Sequence, residues 1–253
     1  MRRIAIILLF ITGCIFGLYA QQRQKSIPDK LVVLTFDDAV LSHFTTVAPL
    51  LKQYGFGATF FVCEFGVPAF ENKSLYMSWE QIAQLNQMGF EIGNHTWHHT
   101  HVNKMDSTRF TGELDYIEQK CAEYHIPKPV SFAYPGYDTS KMALKVLKAK
   151  GYRYARAGWD RPYQPAIDNN YLIPGFTTHT GNTKQGLELL QQASNGKIAV
   201  LTIHGVPDDA HPWVSTSVEV LKSYLNYLKM NHYTVIAMRD LDKYVNNDNQ
   251  LKP

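Results

Sequence analysis

The chain has 253 residues, 45% of them hydrophobic and 19% charged, which fits a globular protein with a sizeable core and excludes a disordered or low-complexity chain. A net charge of +3, with no long run of one sign, excludes the dense basic surface of a nucleic-acid binder.

In chain order, Arg2-Arg3 precede an apolar stretch from Ile4 to Ala20, and the polar run Gln21-Gln22-Arg23-Gln24 follows at once. This is the pattern of a secretory signal peptide, with cleavage after Ala20 preferred although Leu18 is large for the −3 position. Two rivals stand beside it: Ile11-Thr12-Gly13-Cys14 resembles a lipobox that would lipidate Cys14, and an uncleaved anchor would be short for a membrane span. All three imply an exported, periplasmic or extracellular protein that meets a membrane only through that segment. The expected organisation is a signal peptide over 1–20, a linker over 21–30, one domain over 31–246 and a tail over 247–253.

Apolar, β-branched runs at Leu31–Phe36, Ala58–Val62, Phe90–Gly93, Val130–Tyr134, Tyr152–Ala157, Tyr171–Ile173, Ile198–Ile203 and Tyr233–Met238 read as strands. Helical patterns lie between most of them. One begins at Ser78, where Gln81 completes a capping box, and stops before Gly89. Others run from about Asp106 to Tyr124, from Thr139 to Lys150, over Thr183–Ala193 and over Ser215–Met230. Strand–helix alternation repeated seven or eight times without a linker predicts one α/β domain with a parallel sheet, most simply closed into a barrel. Cys63 and Cys121 could pair or could be two buried thiols.

The polar residues collect where the strands end. Asp37-Asp38 follow the first strand, and four of the ten histidines crowd into Asn94-His95-Thr96-Trp97-His98-His99-Thr100-His101 after the third. Pro135-Gly136-Tyr137 follow the fourth, Trp159-Asp160 the fifth, and His204 the strand Ile198–Ile203. Barrel enzymes build their sites at this carboxyl end, so one shared site is predicted. Two imidazoles with a carboxylate are a donor set for a zinc-like ion that keeps a position open for water. Consecutive aspartates in extended backbone point opposite ways, so one can bind the ion while the other serves as base. Imidazole titrates near neutrality, which suits His204 to protonate a leaving amine or alkoxide.

These segments resemble the polysaccharide deacetylases of the NodB-homology type, carbohydrate esterase family 4. Thr35-Phe36-Asp37-Asp38, His95-Thr96-Trp97-His98-His99 and Leu201-Thr202-Ile203-His204 match three of its signatures in order and spacing, over roughly Leu31 to Tyr244. The resemblance implies a distorted (β/α)7 barrel. It also implies a metal site of Asp38, His95 and His99, usually holding Zn2+, with Co2+ or Ni2+ accepted. Asp37 would be the base and His204 the acid, and a backbone N–H after Pro135, that of Gly136 or Tyr137, would face the oxyanion.

Two signatures depart from the family pattern. The third lacks its Arg and reads Phe132-Ala133-Tyr134-Pro135-Gly136-Tyr137, and no acid precedes Trp159 in the fourth. Arg153 or Arg156 could supply the missing charge, in which case its replacement should lower turnover with little effect on folding. Tyr137, Trp159 and Trp213 could stack on sugar faces, whereas His179 reads better as a loop residue. The expected function is metal-dependent removal of acetyl groups, N-acetyl before O-acetyl, from an acetylated carbohydrate polymer or oligosaccharide. Nothing in the sequence calls for a protein or nucleic-acid partner. The altered signatures leave two alternatives, a metal-retaining carbohydrate-binding module without turnover and a hydrolase of small cyclic amides.

Overall fold

The computed structural model describes residues 26–66 and 69–245. The expected signal peptide, Cys14, the first half of the linker and the tail lie outside the described residues. β1 (Leu31–Phe36) carries six buried residues, as a strand covered on both faces must. It pairs in parallel with β7 (Ala199–Ile203) along its whole length, and its last two residues pair with β2 (Thr59–Val62). From β2 the sheet continues through β3 (Glu91–Asn94), β4 (Ser131–Ala133), β5 (Tyr154–Trp159) and β6 (Ile173–Thr177) back to β7. Seven parallel strands thus close a ring, the (β/α)7 barrel expected. The short β8 (Thr234–Ile236) pairs with Leu31–Val33, on the edge of β1 that β2 leaves open.

The helices α1 (Ala48–Tyr54), α2 (Trp79–Gln87), α3 (Ser107–Glu123), α4 (Lys141–Ala149), α5 (Thr183–Gln191) and α6 (Val218–Met230) follow the strands in turn. No helix separates β5 from β6. Side chains of Ser78, Asp106, Ser140 and Ser217 cap α2, α3, α4 and α6 at their first free N–H groups. At α2 the box is reciprocal, with Ser78 Oγ accepting from Gln81 N and Gln81 Oε1 accepting from Ser78 N. Ser78→Ala should therefore cost about 1 kcal/mol. A lower urea midpoint at unchanged m-value would report it, and an unmoved midpoint would remove the cap from the account.

β5 runs two residues later than the sequence reading, Tyr154–Trp159 in place of Tyr152–Ala157, and two further elements differ from it. α1 is entered through a π-helical turn over His43–Val47, with Pro49 in its first turn, and that short irregular start hides its periodicity. β6 begins at Ile173, not Tyr171, because Leu172 N closes a turn onto Asn169 O. Pro174 and Gly175 inside β6 mask the strand signal there.

The pleat decides what reaches the barrel axis. Leu31, Val33, Phe61, Tyr154 and Val200 form one buried cluster, while Val32, Leu34, Phe36 and Phe60 pack in the larger cluster that includes α1, α2 and α6 residues. Gly93 gives Phe61 its room, since a Cβ there would lie 2.4 Å from the Phe61 ring. Period-two alternation carries the inner rows upward, from Leu31 and Val33 to Asp37, from Gly93 to His95, and from Tyr154 to Arg156. At the opposite end Glu91 is buried, and burial raises its carboxyl against the Thr59 and Ser131 hydroxyls and the Arg239 N–H that bond it. Cys63 and Cys121 are buried free thiols, so the pairing left open by the sequence is not formed.

Candidate active site

β1 ends in a sharp turn: Asp38 has φ +80° and Ala39 φ +51°. That left-handed step sends the two carboxylates apart, Asp37 toward β5 and Asp38 toward the histidine loop. The loop after β3 is set by Asn94, whose Oδ1 accepts from Thr96 N (2.9 Å) while its amide donates to Leu114 O and Tyr152 Oη. Thr96 and His99 are also left-handed, with φ +64° and +56°. Such residues are uncommon and cost free energy, and they gather where the rest of the fold over-determines the backbone.

His95 Nδ1 donates to Ala133 O at 2.8 Å, which fixes its tautomer and turns Nε2 into the cleft. His95 Nε2 and His99 Nε2 each lie 3.4 Å from Asp38 Oδ1, a buried oxygen with no hydrogen-bond partner among the described residues. Tetrahedral donors at bond lengths of about 2.0–2.1 Å stand about 3.3 Å apart. The spacing of these three atoms and the orphaned carboxylate oxygen therefore fit a bound divalent ion. Burial alone would raise the Asp38 carboxyl, but the facing His95 imidazole and the neighbouring His204 and His99 hold it far below the usual carboxylate range. Burial pushes the His99 imidazole down to about 4, which keeps it neutral as a ligand must be. His95 is also pushed down by burial, yet Asp37 and Asp38 outweigh that and raise it.

Asp37 is held from the other side. Arg156, at 0% exposure, donates from Nη2 to Asp37 Oδ2 at 2.5 Å. Its guanidinium lies 5.5 Å from the ring centroids of both Phe61 and Tyr137, a cation between two aromatic faces. Asp37 Oδ1 is buried without a hydrogen-bond partner among the described residues. Arg156 is thus the charge beside the carboxylate. Arg153, the other residue considered for that place, sits before β5 at the far end of the barrel and pairs with Asp242. Position along the strand decides between them: Arg156 continues the inward row of Tyr154, and Arg153 precedes the strand altogether.

His204 follows β7 with its Nε2 3.9 Å from Asp38 Oδ2, and its carbonyl accepts from His43 Nε2 at 3.1 Å. Its Nδ1 is buried and has no partner among the described residues, so no other carboxylate takes the place of the absent fourth-signature acid. In the turn after β4, Tyr137 N is committed to Tyr134 O at 3.0 Å, whereas no backbone acceptor among the described residues takes Gly136 N. Gly136 has φ +60°, and a Cβ there would fall 2.3 Å from the His101 ring, itself bonded to Asp138 at 2.8 Å. Only glycine fits that turn.

Asp37, Asp38, His95, His99, Gly136, Tyr137 and His204 line a cleft of about 340 Å3 with Phe65, Tyr134, Thr177, His211, Trp213 and Val214. Trp213 stands at its mouth, 71% exposed. Pro135 is buried beneath the turn and Trp159, 53% exposed at the end of β5, lies outside the cleft lining. His179 accepts from Gly181 N and caps its own turn. Phe65, Thr177 and His211 escaped the sequence reading because they stand on irregular loops or at a masked strand end. The spacing Asp208-x-x-His211, just beyond His204, was the available signal for the last of them.

The polysaccharide deacetylase family model matches residues 24–155, a span that includes Asp37, Asp38, His95, His99 and the Pro135–Tyr137 turn. A peptidoglycan-N-acetylglucosamine deacetylase of Bacillus cereus is 26% identical over 218 residues, covering 85% of this chain and 90% of that one. Among solved structures, Bacillus subtilis PdaA, a family 4 carbohydrate esterase, superposes with a TM-score of 0.59 at 21% identity, over 88% of this chain and 86% of that one. A family 4 acetyl xylan esterase from Clostridium thermocellum, in complex with a cobalt ion, gives 0.57 at 23% identity, over 84% and 90%. The family match, the closed seven-stranded ring and the Asp-His-His cluster at its carboxyl end converge: this chain belongs to the polysaccharide deacetylase family and is a hydrolase of that class.

Proposed function

We propose that this protein is an exported, metal-dependent N-deacetylase of an acetylated carbohydrate polymer or oligosaccharide. The observation that carries the reading is the pair of 3.4 Å separations from Asp38 Oδ1 to His95 Nε2 and His99 Nε2, with an unpartnered carboxylate oxygen at their apex. A divalent ion held there, most simply Zn2+ with Co2+ or Ni2+ as substitutes, would act as a Lewis acid toward the acetyl carbonyl and toward water. The amide preference draws on the Bacillus cereus relative, named for an N-acetyl sugar. The exported location draws on the sequence of residues 1–20 alone.

The chain's own groups account for the proton transfers. Asp37 Oδ1, free because Arg156 occupies Oδ2, takes a proton from the attacking water. The water oxygen bonds to the acetyl carbon, and the Gly136 N–H is the available backbone donor for the carbonyl oxygen as charge builds on it. His204 Nε2 then gives a proton to the sugar nitrogen as the C–N bond breaks, leaving acetate and a free amine. Arg156 and the Phe61 and Tyr137 rings keep Asp37 in one orientation throughout.

Elemental analysis of purified protein should find about one divalent ion per chain, and His95→Ala or His99→Ala should lose it. Chelation should stop acetate release from N-acetylglucosamine oligomers, and added Zn2+ should restore it. Acetate release that survives in chelated protein shown to hold no ion would sink the metal-dependent reading. Release from acetyl-xylan but not from the amide substrates would make the enzyme an esterase.

A further inference from the structure

His211 stands in the loop between β7 and α6, and neither the proposed ion site nor the proposed proton transfers use it. Asp208, 1% exposed, organises that loop: Oδ1 accepts from His211 N (2.8 Å) and Oδ2 from Gly205 N (3.2 Å). Those two backbone bonds already satisfy both carboxylate oxygens. The further contact from His211 Nδ1 to Asp208 Oδ2, at 3.3 Å, therefore orients the ring rather than closing the loop. The ring is also wedged between Phe65, at 5.3 Å, and Trp213, at 5.5 Å. Phe65 in turn packs 4.9 Å from His99, so His211 stands one aromatic ring away from a predicted ligand. His211 lines the cleft, and its Nε2 has no partner among the described residues. A polar edge held from behind and turned into a cleft beside an exposed Trp face is the composition of a sugar subsite, where apolar C–H faces and hydroxyls meet at once.

The chemistry of the free edge narrows the ligand. With Nδ1–H given to Asp208, Nε2 is an acceptor in the neutral ring and a donor in the protonated one. The Asp208 hydrogen bond raises the ring above its ordinary value, against the burial that lowers it, with Asp38 adding to the rise. A hydroxyl group satisfies either state, because it both donates and accepts. We infer that His211 binds the substrate, its Nε2 edge hydrogen-bonding a hydroxyl of the sugar that carries the acetyl group or of the adjoining unit, with Asp208 holding the ring for that contact. This inference rests on the deacetylase reading of the same cleft.

The test pairs kinetics with binding. Steady-state rates on a trimer of N-acetylglucosamine give KM and kcat, and calorimetric titration with the deacetylated trimer gives a Kd that needs no turnover. His211→Ala should raise KM and Kd about tenfold, the loss of one good hydrogen bond, and leave kcat within about twofold. His211→Gln, which keeps a donor and an acceptor, should recover most of the loss at an unchanged thermal midpoint. An unchanged Kd in His211→Ala overturns the inference, as does a wild-type protein that binds no trimer. A common fall of kcat, Kd and thermal midpoint in both variants also overturns it, by making His211 a loop staple. Wild-type protein that binds the trimer and releases no acetate defeats the deacetylase reading alone, and the Kd comparison still judges His211.

Discussion

Asp37→Asn should lower kcat for acetate release by about 10²–10⁴-fold, the usual contribution of a positioned general base, while binding of the proposed ion is kept. The geometry separates the two aspartates by neighbour. Asp38 Oδ1 lies 3.4 Å from both histidine nitrogens, whereas Asp37 comes no closer than 3.9 Å to His95 and spends Oδ2 on Arg156. An amide at position 37 keeps an oxygen for Arg156 to bond but cannot take the proton of water. Stability should fall by about 1–3 kcal/mol, since the buried guanidinium keeps an acceptor and loses its countercharge. Asp38→Asn should instead weaken ion binding. Elemental analysis beside an acetate assay distinguishes the cases. An emptied ion site in Asp37→Asn with a filled one in Asp38→Asn would reverse the assignment.

Much of this site was legible in the sequence because its residues sit where strands stop. Short apolar, β-branched runs mark most of the strands, and a parallel barrel delivers every strand's carboxyl end to one rim, so Asp37, Asp38, His95, His99 and His204 could be assembled without coordinates. What the sequence hides is orientation at irregular backbone. The left-handed turn at Asp38 and the one at His99 decide which oxygen meets which imidazole, and neither position holds the glycine that would have announced it. The same limit applies after β4. The choice between Gly136 and Tyr137 as the proposed oxyanion donor depends on one turn hydrogen bond, from Tyr137 N to Tyr134 O, that residue types do not specify. Trp159 and Trp213 look alike as aromatic residues in rim loops, yet only Trp213 lines the cleft. Loop direction, not composition, sets that difference.

Arg156→Met should lower both turnover and stability, where the sequence alone led to the expectation of lost turnover with little change in folding. Arg156 is the largest fully buried side chain, and its bond to Asp37 joins β5 to the end of β1 across the barrel. Removing one partner of a buried pair strands the other, at a cost of about 3–5 kcal/mol. Turnover should fall as well, because nothing else among the described residues bonds the Asp37 carboxylate, and misplacing a base by a fraction of an ångström is costly in rate. Arg156→Lys should recover only part of either loss, since a compact ammonium lacks the planar face that lies between the Phe61 and Tyr137 rings. The double variant Asp37→Asn with Arg156→Met separates charge from packing. With neither charge left in the core, its stability should return to within about 1–2 kcal/mol of wild type, while acetate release stays lost. Urea unfolding of the four proteins of this cycle measures the coupling directly. If Arg156→Met unfolds at the wild-type midpoint, or if the double variant is no more stable than Arg156→Met, the ion pair is not what holds Asp37 in place.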